Sequence, residues 1–121
     1  MSDDSASSRG EKVALVESFF DGIVTGDLDR LPVGPELAVQ SPLTSRLEGA
    51  AAREYVKTVA ANTRAIRVVR HVVEGDHVAS LTENDTANGP LTIFALFTIG
   101  SGRIVEVRVF YDTRQLAMSG D

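Results

Sequence analysis

The sequence predicts an α+β domain: an antiparallel sheet whose apolar face is covered by helices from the N-terminal half, with room for a cavity between the layers. Two observations carry that expectation. Residues 89–99 and 103–112 read as neighbouring strands joined by Gly100-Ser101-Gly102, and the second alternates cleanly. Val105, Val107, Val109 and Tyr111 share one face of it, Glu106, Arg108 and Asp112 the other. Ahead of these strands, apolar residues recur at helical spacing, so the sheet meets amphipathic helices.

Residues 1–10, Ser/Asp-rich and aperiodic, read as a disordered leader, residues 11–116 as one domain and residues 117–121 as a disordered tail. The first helix is expected from Glu11. Val13, Val16, Phe20 and Ile23 form its stripe, Leu15 and Phe19 widen it, and Gly26 stops it. Asp27 is expected to cap a short helical turn over Leu28 to Leu31, before Pro32, Gly34 and Pro35 break the chain. Leu37 to Ser41 reads as a short strand ended by Pro42, and Leu43 to Gly49 as loop. A second helix follows from Ala50 to about Asn62, with Ala52, Tyr55, Val56 and Val59 on its apolar face. Residues 65–74 and 77–86, rich in Val and Ile, flank Gly75-Asp76 as a hairpin.

A chain of 121 residues makes one domain that buries roughly 65% of its unfolded surface. The absence of cysteine excludes a disulfide framework, a thiolate nucleophile and a Cys-based zinc site. His71 and His77 fall on separate strands, with no carboxylate at a metal-motif spacing, so neither a metal nor another cofactor is expected. Net charge is −5, and the 12 basic residues are scattered among 17 acidic ones, which argues against a nucleic-acid partner. No apolar run approaches the roughly 18 residues of a membrane span. With a polar, acidic start, this points away from membranes and to the cytoplasm.

The order helix, short helix, strand, helix and four strands resembles the cone-shaped fold of the nuclear-transport-factor-2-like superfamily, in its SnoaL-like polyketide cyclase and limonene-epoxide-hydrolase-like branches. The residues that carry the resemblance are Thr25-Gly26-Asp27-Leu28, Gln40-Ser41-Pro42-Leu43, Leu81-Thr82-Glu83-Asn84, and Gly102-Arg103-Ile104-Val105 running to Phe110-Tyr111-Asp112. The resemblance implies a deep apolar pocket and a homodimer formed through the open sheet face. Val105, Val107, Val109 and Tyr111 with Val16, Phe20 and Val56 of the helices are expected to wall the pocket, and Leu91, Ile93, Leu96, Ile99 and Phe110 to supply the apolar surface of the open face. The resemblance also implies positions for an epoxide-hydrolase site: its Arg near Asn84, the partner Asp near Thr86, the second Asp on Val109, and its Tyr and Asn near Val39 and Ser41. None of these residue types survives here. Val cannot serve as a general base, a function that typically contributes 10²- to 10⁴-fold, so the standard epoxide-hydrolase mechanism is not expected. In the cyclase branch a pocket Asp near the end of the last strand acts as acid/base ahead of a Gln-Leu pair, and Asp112 with Gln115-Leu116 is similar.

Asp112 therefore has two readings: a catalytic acid/base, or a strand-ending residue that caps the turn after it. Tyr111 shares the pocket face and is either a hydrogen-bond donor to substrate or a core aromatic. Tyr55 either lines the mouth or packs on the sheet. Thr82, Asn84 and Thr86 lie on one strand face and offer uncharged hydrogen-bonding groups. With Val39, Ser41, Val107 and Val109, they and Tyr55 make the expected ligand-binding set. His71 is either a catalytic group or a surface residue of a sheet face, and the surface reading is preferred. Three functions compete: a cofactor-free cyclase or isomerase moving a proton on an apolar, ring-bearing molecule; a non-catalytic binding module for such a molecule; and a dimerisation domain.

Overall fold

The computed structural model describes residues 8–115; the tail over residues 117–121 and all but the end of the leader lie outside the described residues. In chain order come α1 (Arg9–Thr25), a 3-10 turn (Leu28–Arg30), β1 (Val33–Ser41), β2 (Thr44–Glu48), α2 (Gly49–Asn62), β3 (Thr63–Glu74), β4 (His77–Thr86), β5 (Gly89–Gly100) and β6 (Arg103–Phe110). The strands form one sheet in the order β2-β1-β6-β5-β4-β3. All neighbours run antiparallel except β1 and β6, so the expected antiparallel sheet is a mixed one. The α+β class stands as read from the sequence. Among the described residues no helix is long and apolar enough to cross a membrane.

α1 starts two residues before the expected Glu11, because Ser8 and Glu11 make a reciprocal capping box: the Ser8 hydroxyl accepts the Glu11 N–H and the Glu11 carboxylate accepts the Ser8 N–H. The helix ends at Gly26, whose φ of 79° suits glycine and whose N–H reaches the Gly22 carbonyl at 2.9 Å. Asp27 does not cap the turn that follows; its carboxylate pairs with Arg30 at 3.3 Å.

Two elements depart from expectation at the sheet's other end. β1 begins at Val33, despite Gly34 and Pro35, because its pairing with β6 is irregular between Val33↔Ile104 and Ala38↔Glu106. A proline there interrupts no ladder bond. The segment read as loop after Pro42 is the edge strand β2, paired through Ala38↔Glu48 and Val39↔Leu47.

The core lies between the helices and the inner sheet face. Val16, Phe19 and Ile23 of α1 and Val56 of α2 meet Leu37, Val39, Val78, Phe97, Ile104 and Val107, all buried. Phe97 is held edge-on by Phe19 and Phe20, each 5.6 Å away between ring centroids. Val105 leaves the inner face that alternation assigned to it. The ladder passes from Thr98↔Glu106 to Ile99↔Ile104, so Val105 is the extra residue of a β-bulge and Ile104 points inward instead. Past the bulge, alternation holds for Val107, Val109 and Tyr111.

His71 is not a surface residue. It lies beneath α1 with its side chain 9% exposed, Nδ1 2.7 Å from Ser80 Oγ and Nε2 3.1 Å from a Glu17 carboxylate oxygen. The outer face carries Glu106 paired with Arg46, Arg67 paired with Glu83, and the Arg108 guanidinium 5.4 Å from the centre of the Phe110 ring. Of the apolar residues expected on that face, Leu96 and Phe110 are there, whereas Leu91, Ile93 and Ile99 belong to the covered side.

Candidate functional site

A cavity of about 280 Å³ lies between the helices and the inner sheet face. Helical periodicity turns Phe19, Phe20 and Ile23 of α1, and Tyr55, Val56 and Val59 of α2, toward it. Strand alternation brings Thr82, Asn84 and Thr86 from β4, Leu91, Ile93, Ala95 and Phe97 from β5, and Val107 and Val109 from β6, with Val39 of β1 and Ile66 of β3 beside them. Tyr111 follows just beyond β6. Leu43, 61% exposed in the β1–β2 turn, sits at the mouth.

Among the described residues no Asp, Glu, Lys, Arg or His lines this cavity. Its polar groups are hydroxyls and carboxamides, and most are engaged. The Thr82 hydroxyl, on a residue 2% exposed, donates to Asn84 Oδ1 at 2.8 Å. Thr86 Oγ1 donates to the Gly89 carbonyl at 2.7 Å and accepts the Asn88 N–H at 3.1 Å, closing the β4–β5 turn. The Thr63 hydroxyl and the Asn62 amide both bond back to carbonyls of α2. The Tyr111 hydroxyl lies near Ser41 and Tyr55. Burial first, then the Tyr55 phenol beside it, pushes the Tyr111 pKa up, while the neighbouring Ser41 hydroxyl opposes the shift.

The sequence-derived candidates separate into three groups. Val39, Tyr55, Thr82, Asn84, Thr86, Val107, Val109 and Tyr111 line the cavity. Ser41 does not; it is buried behind the wall, where its hydroxyl accepts the Leu43 N–H at 3.2 Å. Asp112 lies outside altogether. Its carboxylate accepts the Arg114 backbone N–H at 2.9 Å and pairs with the Arg114 guanidinium at 2.7 Å, which holds its pKa at about 2, below the usual 3.8. The Gln115 N–H bonds to the Asp112 carbonyl at 3.0 Å, so the capping reading describes its geometry. Val16, expected in the wall, is fully buried behind it.

Sequence reasoning passed over Asn62, Asn88, Ile66 and Ile93, which also line the cavity. Ile93, expected on the open face, turns inward in the observed register, which pairs it with Thr82. The two asparagines sit at element ends, where no periodicity marks a direction; a backbone bond from Ala87 N–H to the Asn62 carbonyl, 2.8 Å, brings their segments together.

No family model and no curated protein matches the chain. Solved structures do. A protein described as a SnoaL-like polyketide cyclase, from Jannaschia sp. CCS1, superposes with a TM-score of 0.77 at 20% identity, over 91% of each chain. An LEH-like epoxide hydrolase from M. tuberculosis gives 0.76 at 17% identity, over 91% of this chain and 89% of that one. SalBIII, an epoxide hydrolase/cyclase-like enzyme in pyran ring formation in the polyether salinomycin, gives 0.78 at 20%, over 88% and 94%. At such identities the likeness is one of fold, and the chain has the nuclear-transport-factor-2-like cone fold that these cyclase-like and epoxide-hydrolase-like proteins share.

Proposed function

We propose that the protein binds a small, neutral, ring-bearing apolar molecule in this cavity. One observation carries the reading: the wall is apolar and aromatic, its polar groups are uncharged, and among the described residues no Asp, Glu, Lys, Arg or His lines it. Such a pocket gains from burying apolar surface and penalises a charged ligand, whose desolvation no counter-ion offsets. The expected outcome is that 2-isopropenylnaphthalene binds in calorimetry and that 2-naphthoate, of similar shape, binds at least about tenfold more weakly. Val109→Trp, which fills the cavity, should abolish both. Failure of the neutral probe to bind, or equal binding of the carboxylate, would overturn the reading.

A cofactor-free cyclase or isomerase is the second reading. It is favoured by the Tyr111 phenol, a hydrogen-bond donor on the cavity wall that burial keeps protonated, and by the cyclase and epoxide-hydrolase descriptions of proteins with this fold. In that case Tyr111 stabilises charge developing on a substrate oxygen, and Asp112, held by Arg114, does not reach the reacting atoms. Tyr111→Phe would then lower turnover while leaving binding of the neutral probe intact. We also propose that two copies pair through the outer sheet face, where Phe94 and Phe110 lie side by side.

A further inference from the structure

Asn84 stands on the inner face of β4 between two apolar cross-strand neighbours, Ile66 of β3 and Leu91 of β5. Neither can bond to a carboxamide. Its one side-chain partner is Thr82, whose hydroxyl proton goes to Asn84 Oδ1 at 2.8 Å. That bond fixes the carboxamide plane: Oδ1 turns toward Thr82, and Nδ2, carrying two N–H donors, lies on the opposite branch. Thr86, the next residue along this face, is engaged by Gly89 and Asn88 and does not hold Nδ2.

Among the described residues no buried side-chain nitrogen or oxygen lacks a partner, so Asn84 Nδ2, which makes no hydrogen bond, is reached by solvent. Since Asn84 lines the cavity, the cavity is where its donors are open. The other polar walls differ. The Tyr111 hydroxyl lies beyond the end of β6 beside Ser41 and Tyr55, the Asn62 amide donates to the Thr58 carbonyl, and Asn88 is exposed at the rim. Asn84 thus offers a pair of donors oriented by Thr82, on a stretch of wall flanked by Ile66 and Leu91.

We propose that the cavity selects a ligand carrying an uncharged acceptor oxygen, above all a ketone or aldehyde carbonyl, which Asn84 Nδ2 recognises, with Thr82 as the positioning residue that fixes the amide. The inference rests on the reading of the cavity as a neutral apolar binding site and adds the chemical group that the site distinguishes. A hydrocarbon of the same shape would strip water from Nδ2 and return no acceptor, leaving a desolvated donor. A carboxylate would offer acceptors but bury a charge with no cation facing it. A carbonyl meets both conditions.

The test compares three naphthalenes of one shape by calorimetry: 2-acetylnaphthalene, 2-isopropenylnaphthalene and 2-naphthoate. The wild type is expected to bind the ketone about tenfold more tightly than the hydrocarbon, the discrimination typical of a site whose polar group would otherwise be left unpaired. Asn84→Leu should erase that preference and keep hydrocarbon binding. Thr82→Val, which frees the amide to rotate, should reduce the ketone preference without abolishing affinity for the hydrocarbon, a pattern that simple loss of packing would not give. Equal binding of ketone and hydrocarbon by the wild type, or a ketone preference unchanged in both variants, overturns the inference while leaving the apolar-site reading standing. If neither neutral naphthalene binds the wild type, that reading falls and this inference with it.

Discussion

The Asp112 carboxylate accepts both the backbone N–H and the guanidinium of Arg114, two residues away, and these bonds decide what it does. They lower its pKa from 3.8 to about 2, the Arg114 side-chain hydrogen bond contributing most. A depressed carboxyl contributes stability that is present above its ordinary pKa and lost as pH falls through the folded value, so this contribution disappears only near pH 2. Carbon-detected NMR titration should show a midpoint near that value, moving up toward 3.8 in Arg114→Gln. Asp112→Asn should change affinity for the neutral naphthalenes by less than about twofold, where an acid/base catalyst would cost any turnover roughly 10²-fold or more. A larger loss of activity would restore Asp112 to the catalytic list. Tyr111 behaves oppositely. Its raised pKa keeps the phenol neutral up to and beyond its ordinary 10, and the stability linked to it is lost only as pH rises through the raised value. Its position was legible from the period-2 alternation of β6. The direction of Asp112 was not, because a local turn closed by Arg114 and Gln115 overrides alternation once the strand has ended.

At the scale of elements, what alternation and helical spacing can express was legible, and what depends on pairing was not. The inner set Thr82, Asn84 and Thr86 follows directly from the β4 pattern, and the first helix from its apolar stripe and Gly26. Val105 misled because a bulge is a property of two strands: the sequence of β6 alone is regular, and only its register against Thr98 and Ile99 inserts an extra residue. β2 was missed because five residues with Leu47 as their only large apolar side chain carry too little pattern to mark an edge strand. His71 belongs here too. Its ring bridges Ser80 of β4, fully buried, and Glu17 of α1, tying the helix down over the sheet. Removing it by His71→Ala strands the buried Ser80 hydroxyl, a change expected to lower unfolding stability by about 1–3 kcal/mol. Denaturant unfolding measures it. Adding Ser80→Ala should recover part of the loss, because the orphaned group is then gone too; strict additivity of the two changes would argue against a shared bond.

For the molecule as a whole, the inner face of the sheet is consumed by helices and cavity, and the outer face is left with more apolar surface than a solvated sheet requires. Phe94 and Phe110 are cross-strand neighbours, each 45% exposed, and Leu81 and Leu96 stand on the same face. Around them Arg67 pairs with Glu83 and Arg46 with Glu48 and Glu106, while the Arg108 guanidinium lies over the Phe110 ring. The face therefore has an apolar centre and a rim that carries ion pairs within the chain, a distribution that limits like-charge opposition across a two-fold axis. The cone fold was legible from element order; which apolar residues serve this face was only half so, because Leu91, Ile93 and Ile99 turn inward in the observed register. The pairing expected from these features is a homodimer at tens of micromolar in sedimentation velocity. Phe94→Glu combined with Phe110→Glu should yield a monomer, since each copy would bring two carboxylates to the centre of the contact, while the cavity on the opposite side of the sheet keeps its affinity for the neutral naphthalenes within about twofold. A wild type that sediments as a monomer at that concentration would leave the two rings as exposed surface aromatics and remove the dimer from the proposal.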